Sequence, residues 1–363
     1  MREVDVLIVG AGPAGATVAI NLAPLRRVML VERREDVTPR IGESLVPAAR
    51  RLLADMGLLE SFLTEGHEPW YGNRSLWGSS EIQEFDFLRD PDGYGWHLDR
   101  ARFEQWLRDA ARGRGAELLC PATIDKLEYD DRRWHVLLKT ATGPLHITSD
   151  LIIDAGGRAA PIARKLGART QIEDRLICAW VYGHDEYNSC RGLTYVEAVE
   201  DGWWYTAPIP AGQRVLAFHT DADLPSARFV RERNGLLQHA GASQELSALL
   251  TDVGFVPGEQ SGVTAAHSAR LEPFVDKNWL AVGDAVISFD PLSSQGLYNA
   301  LFTGLAGAEA ADRYLRGDTL SLSEYSQTLR GIVDAYSRHL AFYYSTETRW
   351  TNASFWQRRH PSA

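Results

Sequence analysis

Val4-Asp-Val-Leu-Ile-Val-Gly10-Ala-Gly12-Pro-Ala-Gly15 decides the fold: an apolar, β-rich run ends in a turn where Gly10, Gly12 and Gly15 fall in the order Gly-x-Gly-x-x-Gly. The residues after it, Ala14 to Leu22, have helical composition, and Arg27 to Glu32 reads as a second strand. That is one βαβ unit. A glycine-rich turn between a strand and a helix lets a pyrophosphate approach the backbone at the helix N-terminus. Glu32 ends the second strand 22 residues after Gly10, where an acid can accept from ribose hydroxyls. Gly10, Gly12, Pro13, Ala14, Gly15, Glu32 and the adjoining Arg33 are therefore expected at a dinucleotide.

Working outward, Leu45 to Phe62 carries Leu52, Leu53, Met56, Leu59 and Phe62 at helical spacing, and Asp99 to Arg114 carries Phe103, Trp106, Leu107 and Ala110 on one side. Glu65 to Trp96 is rich in Trp, Tyr, Gly and Asp and reads as loops and short strands. Strands are expected through Glu117 to Asp154, and a mainly β stretch from Ile172 to about His267. Trp279 to Val282 is strand-like and leads to a helix from about Gln295 to Leu315; Ser321 to Arg359 is helical and aromatic. The expected fold class is α/β: a Rossmann-like dinucleotide-binding domain, FAD-binding by the second motif described below, with an inserted β-sheet substrate domain and a C-terminal helical segment. The expected boundaries are 1–64, 97–170 and 268–320 for the discontinuous FAD domain, 65–96 and 171–267 for the substrate domain, and 321–363 for the helical segment.

Composition narrows the partners. The 363 residues carry 38 Lys and Arg against 48 Asp and Glu, a formal charge of −10 with no basic cluster, which disfavours nucleic acid and anionic membrane surfaces. Cys120, Cys178 and Cys190 lack metal-ligand or disulfide spacing, so no metal is expected. No secretory leader and no apolar run of about 18 residues is visible, so a cytoplasmic protein is expected. Lysine occurs only at Lys126, Lys139, Lys165 and Lys277.

A second motif selects the nucleotide. Gly283-Asp284-Ala285, then Pro291, Ser294-Gln295-Gly296-Leu297 and Asn299-Ala300, resembles the second FAD motif of the flavoprotein hydroxylase superfamily. The resemblance implies that Asp284 holds the ribityl chain and that Pro291, Ser294, Gln295 and Gly296 lie against the flavin ring. The residues agree, since a strand-end Asp can accept from a sugar hydroxyl and a Gly at a helix start offers N–H groups to the electron-rich flavin edge. The likeness extends to Gly42-Glu43-Ser44, to Leu98-Asp99-Arg100, and to Asp154-Ala-Gly156-Gly157, placing Glu43, Ser44 and Arg100 at the cofactor. An Arg at a helix start is by itself more often a surface ion pair; the neighbouring motif residues turn that reading.

The chain resembles the branch that contains geranylgeranyl-reductase-like enzymes, flavin-dependent halogenases and related monooxygenases. Halogenases of that branch carry Trp-x-Trp-x-Ile-Pro and a lysine after the first βαβ unit. Here Tyr205 and Ala207 stand at the two tryptophans when Ile209-Pro210 is aligned, and no lysine precedes Lys126. A closer likeness is to the flavoproteins that mature tryptophylquinone-containing amino-acid oxidases, carried by Ser75 to Gly78, Gly95 to Arg100, Trp203 to Tyr205, Asp290 to Gly296 and Tyr343 to Trp356. It implies an FAD-dependent monooxygenase that hydroxylates an indole or phenol, with a tryptophan of a partner protein as one substrate, through a flavin C4a-hydroperoxide. The alternatives are a halogenase, an isoprenoid ene-reductase, or a non-enzymatic flavoprotein escort. His97, with Pro291, Ser294, Gln295 and Gly296, forms the expected catalytic set, though a histidine satisfied by backbone groups is an equal reading of His97 and the better one of His67. Trp77, Trp96, Trp203 and Tyr205 are expected at the substrate, against core packing as the default for any one tryptophan. No second glycine motif follows a later strand, so electrons are expected from a separate flavin reductase or from transient NAD(P)H.

Overall fold

The computed structural model describes residues 2–130, 132–187 and 192–360. Strand Arg2–Val9 lies at the centre of a mostly parallel sheet, in the order Val275–Asp276, Trp279–Ala281, Gly143–Asp154, Arg2–Val9, Val28–Val31, Glu117–Leu119. Strand Trp134–Thr140 pairs antiparallel to Gly143–Asp154, and Ala122–Tyr129 pairs antiparallel to Trp134–Thr140. Val6, Leu7 and Ile8 are fully buried, as a central strand covered on both faces requires. Helix Pro13–Leu22 starts with a proline whose missing N–H costs nothing there, and it packs along the 20-residue helix Gly296–Leu315. Gly304 permits that approach: a Cβ there would stand 2.7 Å from the Ala14 carbonyl oxygen.

The second large sheet runs Phe255–Ala265, Leu176–Asp185, Gln213–Asp221, Gly202–Ile209, Leu193–Val199, Gly72–Leu76, Gln83–Asp86. Strands alternate their faces. Ala179, Val181, Tyr195, Trp204, Leu216 and Phe218 point to one side, where Val230, Leu236, Ala240 and Leu246 cover them. Those covering residues belong to or adjoin three short helices, Pro225–Phe229, Arg233–Gly241 and Gln244–Asp252, inside the stretch expected to be mainly β. The opposite face packs in part against Tyr344, Phe355 and Trp356 and turns Tyr182 and Tyr205 to Glu43 and Ser44.

Two other expectations are refined. The run from Leu45 to Phe62 divides into strand Ser44–Leu45 and helices Ala49–Asp55 and Leu59–Leu63, because Gly57 sits at φ +65° and ends the first helix. The helix expected from Asp99 spans Arg100–Gly113, with the Asp99 side chain accepting from the Arg102 N–H as its cap. Helix Ser321–Thr346 buries Leu322, Tyr325, Leu329, Val333 and Tyr336 against the first core. Its last turn sends Tyr344 to a separate aromatic cluster with Phe355 and Trp356. No described helix is long and apolar enough to cross a membrane.

Candidate active site

The glycines of the first turn divide by what surrounds them. Gly10 has φ +107°, and a Cβ there would strike the Ala155 carbonyl; at Gly15 it would strike the carbonyl of Gly10. Those two let the turn pack. Gly12 has an ordinary φ of −76°, and a Cβ there would meet nothing within 4 Å. Gly296, the first residue of its helix, is likewise free of neighbours. Neither protein packing nor backbone strain requires a glycine at those two positions, and both occur at helix N-termini, where N–H groups point outward without intrahelical partners.

Around that opening the polar groups are already directed. The Glu32 carboxylate accepts from Ala11 N–H at 2.9 Å and Arg34 N–H at 3.1 Å, with Arg108 Nη2 at 3.7 Å; Arg33 is exposed beside it. Pro13 and Ala14 are buried in the first helical turn. Arg100 is nearly buried and donates to the Gly42 carbonyl at 2.7 Å and to Glu104 at 2.6 Å, yet its Nε has no partner. Gly283, at φ +62°, donates its N–H to Thr303 Oγ1, and Asp284 next to it stays part-exposed with Arg158 at 3.8 Å. Pro291–Ser293 forms a short 3-10 turn that ends at Ser294, a non-glycine residue at φ +51°. Such a conformation is costly and is held by its surroundings. Gln295 caps the long helix and Leu297 is buried in its first turn. Two glycine-lined helix starts, an acid at the end of the second strand and an unpaired guanidinium nitrogen fit FAD.

The inward face of the second sheet supplies the other wall, and strand registration arranges it in rows. Tyr182, Val215 and Ala207 form one; Trp180, Ala217, Tyr205 and Val196 the next; Cys178, His219, Trp203 and Ala198 the third. In the second row Trp180, Tyr205 and Val196 are only partly buried, around the small Ala217. Every side chain of the third row is at most 2% exposed. Tyr344, Phe355 and Trp356 pack on that row, and Trp203 stacks on His219 at 3.6 Å between ring centroids. Trp203 thus sits inside packing. Trp96 is buried against Phe62 and Tyr94, and Trp77 is half-buried, its Nε1 donating to the Tyr343 carbonyl. Tyr205 shares a 3.0 Å hydrogen bond with Ser44.

His97 is fully buried, with Nε2 2.8 Å from Thr194 Oγ1 and Nδ1 unpartnered. Burial, with Arg214 adding repulsion, pushes its pKa down to about 3, which favours the neutral imidazole at physiological pH. His67 is also buried and held at about 4 by burial. Sequence reasoning passed over Asp290 as a functional side chain. Its carboxylate accepts from Tyr344 OH at 2.7 Å and from Leu292 N–H at 2.9 Å, and its N–H donates to Tyr336 OH at 2.7 Å. The C-terminal helix thereby grips the loop that leads to Gly296. Cys120 and Cys178 are free thiols, and Cys190 lies outside the described residues. Among the described residues no cluster of His, Cys, Asp or Glu could hold a metal.

The sequence matches the tryptophan halogenase family over residues 5–70 and 84–362. The chain belongs to that family. It is 30% identical over 370 residues to the FAD-dependent oxidoreductase LodB of Marinomonas mediterranea, covering 99% of this chain and 98% of LodB. Among solved structures, the myxobacterial chondrochloren halogenase CndH superposes with a TM-score of 0.91 at 22% identity, over 100% of this chain and 87% of CndH. The peptidyl tryptophan dihydroxylase QhpG, described as essential for tryptophylquinone cofactor biogenesis, gives 0.77 at 22% identity, over 100% of this chain and 80% of QhpG. The chain is therefore an FAD-dependent oxidoreductase with the α/β fold of the flavin halogenases and hydroxylases, from a family that acts on aromatic substrates.

Proposed function

We propose that this protein hydroxylates an electron-rich aromatic ring, an indole or phenol, within a larger protein or carrier-bound substrate. The observation that carries the reading is the part-open sheet wall at Trp180, Tyr205 and Val196, combined with the distribution of lysine. Lys126 and Lys139 lie on the outer hairpin of the first sheet, Lys165 reaches the Asp125 carbonyl, and Lys277 follows strand Val275–Asp276. None lies on the strands of the aromatic wall, which disfavours halide activation by an ammonium group.

In this reading FAD spans the opening described above. Gly10, Gly12, Pro13, Ala14 and Gly15 with Glu32 and Arg33 hold its adenosine and pyrophosphate; Glu43, Ser44, Arg100, Gly283 and Asp284 surround the ribityl chain and ring; Pro291, Ser294, Gln295, Gly296 and Leu297 face the ring edge. Reduced FAD supplies activation of O2 for transfer of one oxygen atom. The chain's own work is to orient the aromatic ring and exclude water, with Tyr205 and Trp180 as walls and the helix start at Gly296 stabilising negative charge. His97 fixes the wall by its bond to Thr194. Trp203 adjoins that wall on the same face and packs with Trp77, while Trp96 belongs to the first core. The units are proposed as 1–64, 97–170 and 268–320 for FAD, 65–96 and 171–267 for substrate, and 321–363 as cover, with electrons from a separate reductase or from NAD(P)H.

The test is mass spectrometry of a precursor protein incubated with this protein, reduced flavin and O2, with bromide present. The expected product gains mass in steps of one oxygen atom and carries no bromine. A flavin-dependent brominated product would replace hydroxylation with halogenation. Efficient hydroxylation of a free small aromatic, indifferent to any protein, would remove the macromolecular substrate.

A further inference from the structure

Residues 42–44 bridge the two halves of the site. Gly42 receives Arg100, and Ser44 pairs with His97 across a short antiparallel ladder while bonding Tyr205 on the aromatic wall. Glu43 between them is 1% exposed. Its Oε1 accepts from Tyr182 OH at 2.7 Å, and its Oε2 has no partner. Arg100 directs its Nη groups to Ile41, Gly42 and Glu104, so Glu43 has no direct ion pair among the described residues. A buried carboxylate oxygen without a partner is costly, and a bound ligand that donates to it removes the cost.

Tyr182 and Tyr205 point from the same sheet face, on the two strands that flank Gln213–Asp221, where they lie opposite Val215 and Ala217 respectively. Their hydroxyls meet Glu43 and Ser44 respectively. The carboxylate therefore stands where the cofactor half meets the aromatic wall. Burial pushes the Glu43 carboxyl above the usual carboxylate range, opposed only in part by the Tyr182 bond, the backbone N–H groups of Glu43 and Gly42 and the Arg100 charge, so it is a stronger base than a carboxylate in water.

We infer that Glu43 accepts the ring N–H or O–H of an aromatic molecule held against Trp180, Tyr182 and Tyr205, and takes that proton as the ring is oxygenated. The proton-transfer half rests on the hydroxylation reading above; the acceptor half needs only an aromatic ligand at this wall. For an indole, a ring carbon bonds to one oxygen of O2 activated by the reduced flavin, and the O–O bond breaks with its electron pair on the other oxygen. The N–H proton passes to Glu43, leaving a neutral imine in place of a cation. The oxygenated carbon then releases its hydrogen as a proton and Glu43 returns one to nitrogen, which restores the aromatic ring. The second oxygen leaves as water, and the two electrons come from the reduced flavin.

The test is a titration of the oxidised holoprotein with indole and with 1-methylindole, followed through perturbation of the flavin absorbance. A charge-assisted bond from N–H to Glu43 gives a preference for indole of about tenfold or more. In Glu43→Gln the preference is expected to fall below about threefold, because a neutral acceptor remains. Tyr182→Phe frees Oε1 and is expected to keep or increase it. If the pair were only structural, the two variants would lose the same bond and leave the preference alike and unchanged. Equal binding of both ligands by the unmodified protein, binding of neither, or an unchanged preference in Glu43→Gln overturns the inference. Loss of preference in Glu43→Gln, with no oxygenated product from the unmodified protein, sinks the hydroxylation reading and keeps the acceptor.

Discussion

The nucleotide cradle and the aromatic wall use opposite means. At the cradle, what matters is side chains that are missing: Gly12 and Gly296 face open space, while Gly10 and Gly15 let the turn close on itself. At the wall, large rings both fill and line, and the same residue type does either according to what lies on top. Trp203 is sealed under Tyr344, Phe355 and Trp356, whereas Trp180, two residues beyond Cys178 of the Trp203 row, is partly open. An opening left by glycine is specified locally. An opening left among aromatics is specified by the C-terminal helix, more than a hundred residues away.

The sharpest way to break the comparison is at the glycines. Gly12→Val should weaken FAD binding by at least about 100-fold, since the pyrophosphate must touch backbone there. The FAD-free protein should keep its unfolding midpoint within the roughly 0.5 kcal/mol typical of a surface substitution, because the added Cβ meets nothing. Gly15→Val should instead unfold the turn, its Cβ colliding with the Gly10 carbonyl. Absorbance of the purified proteins and urea unfolding without flavin separate the two. Full FAD retention in Gly12→Val would remove the cradle from the site.

At the wall, Trp203→Ala should cost about 3–5 kcal/mol of stability, as for other large buried side chains. Tyr205→Phe removes one hydroxyl that Ser44 shares, and should cost nearer 1 kcal/mol. Denaturant midpoints give both numbers. Similar costs at the two positions would mean that the second row is as closed as the third.

This contrast explains what could be read from sequence. Gly10, Gly15 and Gly283 are legible because each position admits few residue types for a backbone reason; Gly12, Glu32, Asp284 and Gly296 are read as ligand positions, and the proposed function keeps them there. Helices Pro225–Phe229, Arg233–Gly241 and Gln244–Asp252 were not: they are short, two lie in weakly patterned sequence, and their job of covering a sheet face appears only once that face exists. Trp180 and Tyr182 were absent from the expected substrate residues although Cys178, Trp180 and Tyr182 alternate visibly. Period-two spacing says that they share a face without saying which face is inside. Asp290 enters the sequence reading only as the first residue of the stretch Asp290 to Gly296, since its partners Tyr336 and Tyr344 lie 46 and 54 positions along the chain.

A pH series tests that long-range grip. Burial pushes the Asp290 carboxyl up to about 6, although bonds from Leu292 N–H and Tyr344 OH pull it back. The folded protein therefore holds this proton more tightly than the unfolded chain, where an Asp titrates near 3.9. The sign follows: the site's contribution to stability is fully present below about pH 4 and is lost as pH rises through about 6, a change of roughly 2–3 kcal/mol. Asp290→Asn cannot titrate, so its unfolding free energy should lack this loss between pH 4 and pH 7, while other groups contribute alike to both proteins. The difference between the two urea-unfolding series isolates the one carboxyl. Parallel series would mean that Asp290 is not desolvated, and that the C-terminal helix does not seal the loop before Gly296 in the way it seals Trp203.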